Sequence, residues 1–145
     1  MATRKRKMFR TNNAKLNNRC VVIDGINFQS VKEGARYKEL KLLQSAGEIS
    51  DLELQKKYEL IPAQYELIET GEVYKIGAKK GQPKMKQICV EQSVCYIADF
   101  VYQQNGQTVV EDVKGFRDTS SATYAKFVLK RKMMLYFHGV KVKEI

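Results

Sequence analysis

The sequence is poor in the residues that build zinc centres and disulfide frameworks. It contains one histidine, His138, and three cysteines (Cys20, Cys89 and Cys95), no two of which have CxxC spacing. A disulfide scaffold is therefore not expected, and a zinc site has little support. We interpret the cysteines as reduced, small hydrophobic residues. Because His138 precedes Gly139, the favoured role for His138 is the end of a helix, with a ligand role as the alternative.

Long apolar runs are also missing. No stretch approaches the ~18 residues that cross a membrane. The first residues, MATRKRKMFR, are basic but lack a following apolar segment, which argues against a signal peptide. We expect a soluble cytoplasmic protein without a membrane partner.

The charge is unevenly distributed. The net charge is +10, and residues 1–19 carry seven basic side chains and no acidic one. We expect residues 1–19 to form a disordered basic N-terminal tail suited to a polyanion, followed by a single domain over residues 20–145. A tail that only promotes solubility is the alternative, which charge alone does not exclude.

Local patterns predict the first half of the domain. Residues 20–28 predict a hairpin turning at Asp24-Gly25, and the segment from Ser30 to Gly47 predicts a helix. Its expected buried side comprises Val31, Ala35, Leu40, Leu42 and Leu43. Residues 52–60 predict a strand stopped by Pro62, with Leu52, Leu54, Tyr58 and Leu60 on one face.

A second hairpin is predicted through Thr70-Gly71, between QYELIET and EVYKIGA. The loop KKGQPKMK follows at residues 79–86 and has four lysines and no acid. Such a loop is usually solvated, but it could also bind phosphates, and Lys79 and Lys80 are the candidates within it.

Residues 96–115 predict a third hairpin, turning at Asn105-Gly106. In this register Asp99 lies opposite Asp112 on one sheet face, Lys114 follows on the same face, and Glu111 points to the other face. Facing like charges are destabilising. A divalent cation such as Mg²⁺, which proteins bind through one or two carboxylates, would relieve the repulsion. The alternative is an exposed edge at which the three side chains pair loosely in solvent.

The last segment predicts a helix capped at residues 119–121 and ending at Gly139, then a strand over residues 140–145 parallel to strand 107–114. The helix is expected to pack in the core through an apolar stripe, which we do not interpret as a cofactor-binding site. The stripe comprises Tyr124, Phe127, Val128, Met134 and Leu135. The order of elements predicts an α/β protein with a mixed β-sheet flanked by helices.

An Asp at the end of one strand, followed by Asp-Val-Lys on its partner and preceded by a Glu on a helix, resembles the PD-(D/E)xK nuclease signature. More closely, the chain resembles a phage-borne family of Holliday-junction-resolvase-like nucleases. The matching stretches are DGINFQSVKEGARYKEL, GEISDLELQKKYEL, YIADFVY, VVEDVKG and KRKMMLYFHGVKVKEI. The chain departs from the signature in having Ala98, not proline, before Asp99.

The resemblance implies a restriction-endonuclease-like fold with an α-β-β-β-α-β core. It implies a Mg²⁺-dependent DNA endonuclease, with Mn²⁺ able to substitute, that acts as a homodimer on branched DNA. The implied active site comprises Glu33, Asp99, Asp112 and Lys114, with the three acids at the metal.

Residues outside that set are assigned more loosely. Gln55 falls on the polar face of its strand and is expected near the site. Tyr124, Lys126 and Lys130 are candidate DNA contacts. Glu33 also has capping-box spacing from Ser30, and capping does not exclude a place near the metal. The rival function is a catalytically silent DNA-binding accessory protein that retains the fold.

Overall fold

The computed structural model describes residues 19–115 and 118–145. Nearly all of the basic N-terminal segment, predicted to be a disordered tail over residues 1–19, therefore lies outside the described residues. The elements in chain order are β1 (Val21–Ile23), β2 (Ile26–Phe28), α1 (Val31–Ser45), β3 (Ser50–Ile61), β4 (Gln64–Val73), β5 (Pro83–Glu91), β6 (Val94–Gln104), β7 (Gln107–Asp112), α2 (Ala122–His138) and β8 (Val142–Glu144). Neither described helix is long and apolar enough to cross a membrane.

The main sheet has the strand order β3-β6-β7-β8. β3, β6 and β7 are antiparallel neighbours, and β8 pairs with β7 in parallel, as the sequence predicts. The helix α2 connects β7 to β8, between a Ser121 N-cap and Gly139, whose φ of 65° suits a glycine C-cap. The protein is thus α/β, with a mixed sheet and two helices.

The two helices cover opposite faces of this sheet. Neighbouring strand residues point to opposite faces, and Val109 packs in the cluster that contains Tyr37 and Leu40 of α1, whereas Val110 packs with Phe127 and Met134 of α2. The end of β7 is therefore buried on both sides.

The helix α1 presents only part of its predicted apolar side to the sheet. Its buried residues are Gly34, Tyr37 and Leu40, whereas Leu42 is 72% exposed. Gly34 sets this phase, because a Cβ there would lie 2.6 Å from Cγ2 of Val21. Leu40 and Leu43 pack in the core as predicted, whereas Val31, Ala35 and Leu42 are exposed, because the prediction counted every apolar residue and missed the glycine at the contact. In α2, similarly, Leu135 is exposed and Met133 packs on the core in its place.

The prediction that the apolar residues of β3 all lie on one face is also wrong. Leu52 and Leu54 pack in the α1 core, whereas Tyr58 and Leu60 pack in the α2 core. The alternation breaks at Gln55, which has a φ of 51°, a backbone conformation that non-glycine residues adopt rarely. The neighbouring strand β6 changes faces at the same level, since Ala98 belongs to the α2 core and Phe100 to the α1 core.

The strands β4 and β5 form a separate two-stranded sheet, which we call the arm (residues 64–91). The prediction of a turn at Thr70-Gly71 was wrong, because β4 runs through both residues and the chain reverses over residues 74–82. Gly71, with a φ of 77°, lies instead at an irregularity in the register between Glu69 and Val73. Every residue of β4 is exposed, so the arm stands away from the main sheet.

Candidate active site at the end of the central hairpin

The β6–β7 hairpin has the predicted turn and register. Asn105 and Gly106 both have positive φ, and the pairs run from Gln104↔Gln107 to Phe100↔Glu111. Continuing this register places Asp99 opposite Asp112, the last residue of β7. The two aspartates therefore meet where the ladder ends.

Asp99 is fixed by two hydrogen bonds. Its Oδ2 accepts the backbone N–H of Val113 at 2.7 Å, and its Oδ1 accepts Nε2 of Gln55 at 3.2 Å. Gln55 lies at the break in β3, so its unusual backbone directs an amide toward the carboxylate. The structure thus brings Gln55 to Asp99, where the sequence analysis expected it.

Asp112 is only 5% exposed, and Nζ of Lys114 lies 2.6 Å from its Oδ2. The same ammonium lies 4.0 Å from the centroid of the Phe127 ring of α2. Burial, and then the negative charge of Asp99, raise the pKa of Asp112 to about 6, although Lys114 opposes the shift. Asp112 is therefore a carboxyl group that becomes fully charged only above mildly acidic pH.

Two buried polar atoms near Asp112 and Lys114 lack a hydrogen bond. They are the hydroxyl of Tyr96 and Oδ2 of Asp112, whose contact with Nζ of Lys114 is an ion pair, and they are the buried side-chain atoms without a hydrogen-bond partner in the described part of the chain. Burial, and then the charges of Asp112 and Asp99, raise the pKa of Tyr96. The Tyr96 hydroxyl therefore stays protonated.

Glu33 approaches the aspartates from the first turn of α1. Its Oε1 accepts the Ser30 hydroxyl at 3.2 Å, and its Oε2 accepts the backbone N–H of Gln29 at 3.3 Å. The Ser30 hydroxyl in turn accepts the Glu33 N–H, so the predicted cap forms. Burial, and then the negative charge of Asp99, raise the pKa of Glu33. Glu33 therefore caps its helix and also contributes to the field at the carboxylates.

Glu111 has a different role from its neighbour Asp112. It is fully buried on the α1 side of the sheet, where Nε and Nη2 of Arg36 donate to it at 2.8 and 2.7 Å and the hydroxyl of Tyr102 donates at 2.8 Å. Burial opposes the charge, but the bonds from Arg36 and Tyr102 outweigh it and lower the pKa of Glu111. The carboxylate of Glu111 is thus fully engaged in the fold.

The candidate DNA contacts divide into two groups. Lys126 and Lys130 line a groove of about 490 Å³ between β6 and α2 that Asp112 and Lys114 also line. Lys79 and Lys80 lie instead in the turn of the arm, which is about 30 Å long at ~3.3 Å per residue. Tyr124 belongs to the core, because its ring contacts Phe127 and its hydroxyl donates to Glu144.

The donor set fits a hard cation through two carboxylates. No three His, Cys, Asp or Glu side chains form a ready metal cage within residues 19–115 and 118–145. Mg²⁺ is usually bound by one or two carboxylates, with waters and substrate phosphate completing the shell. Asp99 and Asp112, which meet beside Lys114 at the end of the ladder, could supply these ligands. His138 lies elsewhere, with Nε2 2.8 Å from the carbonyl oxygen of Glu59.

Sequence reasoning missed two residues at this site. Tyr96 continues the apolar pattern of β6 and gives no signal of its own. Lys32 resembles any solvated helix lysine, yet its Nζ donates to the carbonyl oxygens of Lys114 at 2.7 Å and Ile145 at 2.8 Å. Both roles depend on tertiary contacts, so no local pattern could have revealed them.

Comparison with known proteins identifies a family. No curated protein and no solved structure matches the chain. A protein-family model described as "Protein of unknown function (DUF1064)" matches residues 13–144, which is most of the sequence, and the chain therefore belongs to the DUF1064 family.

Proposed function

We propose that this protein is a metal-dependent DNA endonuclease with a restriction-endonuclease-like fold. The observation that carries the proposal is the meeting of Asp99, Asp112 and Lys114 at the end of the β6–β7 ladder, with Glu33 nearby. Two facing carboxylates beside a lysine contribute little to the packing of the protein. A cation with a phosphate ligand would engage all three side chains, because the carboxylates would bind the cation and the lysine would pair with the phosphate. The four strands of the main sheet and the two helices follow one another along the chain as α1-β3-β6-β7-α2-β8, when the arm is set aside. This order is consistent with the α-β-β-β-α-β core of the proposed fold.

The side chains at the site would bind the metal ion and stabilise the charge that develops on the phosphate. Asp99, held by Gln55 and Val113, and Asp112 would hold Mg²⁺, or Mn²⁺ in its place. When bound, the ion would supply a Lewis acid that lowers the pKa of water and polarises the phosphodiester. Lys114 would turn from Asp112 toward the phosphate, where its ammonium stabilises developing negative charge. Asp112 must be deprotonated for this, and because burial raises its pKa in the metal-free protein, metal binding would weaken at mildly acidic pH.

The substrate would be DNA, and by resemblance branched DNA. Lys126 and Lys130 border the groove that leads to Lys114, so they would contact the phosphates next to the cleaved bond. Lys79 and Lys80, at the far end of the arm, would contact DNA away from the cleaved bond. Such lysine contacts supply affinity that does not depend on sequence.

The active form would be a homodimer, because resolving a junction requires cuts in two strands. The exposed arm offers a contact surface for a second copy. Tyr65, Leu67 and Met85 share one of its faces and are all exposed. An isolated two-stranded sheet is at best marginally stable in water, so packing against an identical arm would stabilise it.

The test is cleavage of supercoiled plasmid and of a four-way junction, with Mg²⁺ or Mn²⁺ and with EDTA. We expect metal-dependent cutting that Asp112→Asn abolishes and that Asp51→Asn, at an exposed aspartate outside the cluster, leaves intact. Preference for the junction over linear duplex of equal length would support the branched substrate. Equal cutting by Asp112→Asn and the parent would refute the site.

A catalytically silent DNA-binding protein is the second candidate. It is favoured by the absence of a three-ligand cage among the described residues and by the capping bonds that already use both oxygens of Glu33. Such a protein would retard the junction in a gel shift with or without metal, and would cut no DNA in either divalent ion.

A further inference from the structure

Tyr96 is a buried polar residue without an evident structural purpose. The residue is 4% exposed, and its hydroxyl has no hydrogen-bond partner in the described residues. A buried donor that is left unpaired costs free energy, and a phenylalanine would pack in the same space without that cost. The hydroxyl therefore needs an explanation in function or in another state of the molecule.

The groove beside α2 supplies that explanation. Tyr96, Asp112 and Lys114 all line it, and Oδ2 of Asp112 is the other buried side-chain atom without a hydrogen bond among the described residues. In the free protein, Nζ of Lys114 lies 2.6 Å from this oxygen and neutralises it. A phosphate in the groove would attract the ammonium away, and the groove, at about 490 Å³, has room for the lysine to turn. Oδ2 would then need another partner.

We propose that Tyr96 is a positioning residue of the carboxylate pair: once Asp112 binds a divalent cation and Lys114 turns to the phosphate, the Tyr96 hydroxyl donates a hydrogen bond to Oδ2 of Asp112. The inference rests on the proposed function, because it requires a cation on Asp112. Carboxylates that bind metals are themselves hydrogen-bonded, and loss of such a partner typically costs 10–100-fold in metal affinity or activity. The unpaired hydroxyl of the free protein is thus a donor reserved for the metal-bound state.

The experiment compares two buried tyrosines of the same strand. Tyr102 is 3% exposed, and its hydroxyl donates to Glu111 at 2.8 Å, so Tyr102→Phe removes a bond that exists in the free protein. Tyr96→Phe removes a hydroxyl that bonds nothing there. For the parent and each variant, we would measure the thermal midpoint in EDTA, the Mn²⁺ affinity by isothermal titration, and kcat and KM for junction cleavage.

Tyr96→Phe should keep or raise the thermal midpoint, weaken Mn²⁺ binding about 10-fold or more, and lower kcat with little change in KM. Tyr102→Phe should lower the midpoint and keep the parental Mn²⁺ affinity. Parental affinity and kcat in Tyr96→Phe would overturn the inference, as would a fall in midpoint equal to that of Tyr102→Phe. If the parent bound Mn²⁺ and Asp112→Asn did not, the proposed function would survive that result. A parent that binds no Mn²⁺ would overturn both.

Discussion

At the scale of single residues, the adjacent acids Glu111 and Asp112 show how environment assigns different roles to similar side chains. Glu111 is paired with Arg36 and Tyr102, and these partners lower its pKa. Asp112 is almost as deeply buried, but the nearby carboxylate of Asp99 helps to raise its pKa. The first acid stabilises the fold, whereas the second is held in an environment that disfavours its charge.

The first prediction follows from the raised pKa of Asp112. Folding lifts this pKa from 3.8 to about 6, so the folded state holds the proton more tightly. The contribution of Asp112 to the free energy of unfolding of the metal-free protein, measured as the difference between the parent and Asp112→Asn, should therefore fall as pH rises from about 4 to about 6 and stay low above that range. Asp112→Asn removes this cost and should be more stable than the parent at about pH 8, by up to about 3 kcal/mol. Urea denaturation in EDTA at about pH 4.5 and about pH 8 measures both effects.

Glu111→Gln is the control and should have the opposite effect. Neutralising Glu111 removes the buried partner of Arg36 and leaves the guanidinium only the exposed Glu39, at a cost of up to about 3–5 kcal/mol. If Asp112→Asn were as destabilising as Glu111→Gln at the higher pH, the charge of Asp112 would be a structural requirement and not a burden.

The second prediction concerns Lys114. Its contacts are with Asp112 and the Phe127 ring, both of which line the groove. Lys114→Ala should lower junction cleavage at least ~100-fold, because a preorganised positive charge at the phosphate is removed. Junction binding in a gel shift should change little, since one of 26 basic residues is removed. Cleavage at the parental rate would exclude Lys114 from the chemistry.

At the scale of elements, the sequence correctly predicted the turn of the β6–β7 hairpin and the N-caps of both helices, because neighbouring residues determine these features. Asn105-Gly106 fixed the β6–β7 register, and Ser30 and Ser121 cap the helices as expected. The face change at Gln55 could not be predicted, because both halves of β3 alternate correctly and only packing against two different helices separates them. The arm was mispredicted because Thr70-Gly71 carries a turn signal yet occupies an irregularity within β4.

Lys32 gives the third prediction, since it connects α1 to the ends of β7 and β8. Its ammonium donates to the carbonyl oxygens of Lys114 and Ile145. Lys32→Met should cost about 1.5–3 kcal/mol, the usual contribution of a hydrogen bond to a charged group, and should also lower kcat because Lys114 is less well held. Lys38→Met, at an exposed lysine of the same helix, should change neither quantity. Chemical denaturation and junction cleavage measure the two effects. An unchanged kcat would limit Lys32 to a structural role.

The fourth prediction tests the arm as the contact between two copies. Leu67 is 67% exposed on the face it shares with Tyr65 and Met85, and Leu67→Glu should convert the dimer to monomer by burying a charge there. Ile68, which is 41% exposed, points to the opposite face, so Ile68→Glu is a matched control that should stay dimeric. Sedimentation velocity distinguishes the two. A parent that sediments as a monomer, or an unaffected Leu67→Glu, would refute this contact.

At the scale of the whole molecule, positive charge is concentrated in two stretches of the sequence that do not contain the site carboxylates. The net charge is +10, and seven of the basic residues lie within residues 1–19. The tip of the arm adds five lysines without an acid over residues 74–86. Among the residues that the structure describes, the lysines that line the groove are Lys114, Lys126 and Lys130. The arrangement separates general attraction to a polyanion, which acts over many contacts, from the few groups placed to act on one phosphate.

The fifth prediction uses this separation. Deleting residues 1–18 removes six basic side chains and none of the described residues, which include the carboxylate pair. Affinity for junction and duplex DNA should fall together, because these side chains would bind phosphates and not bases. The slope of log affinity against log salt should become shallower by up to ~0.9 for each phosphate that the shortened chain no longer neutralises. Fluorescence anisotropy between about 50 and 200 mM salt measures the slope. Under saturating DNA, kcat should stay at the parental value, since Asp99, Asp112 and Lys114 are intact. An unchanged slope would mean that the segment does not touch DNA, and a fall in kcat would mean that it reaches the active site.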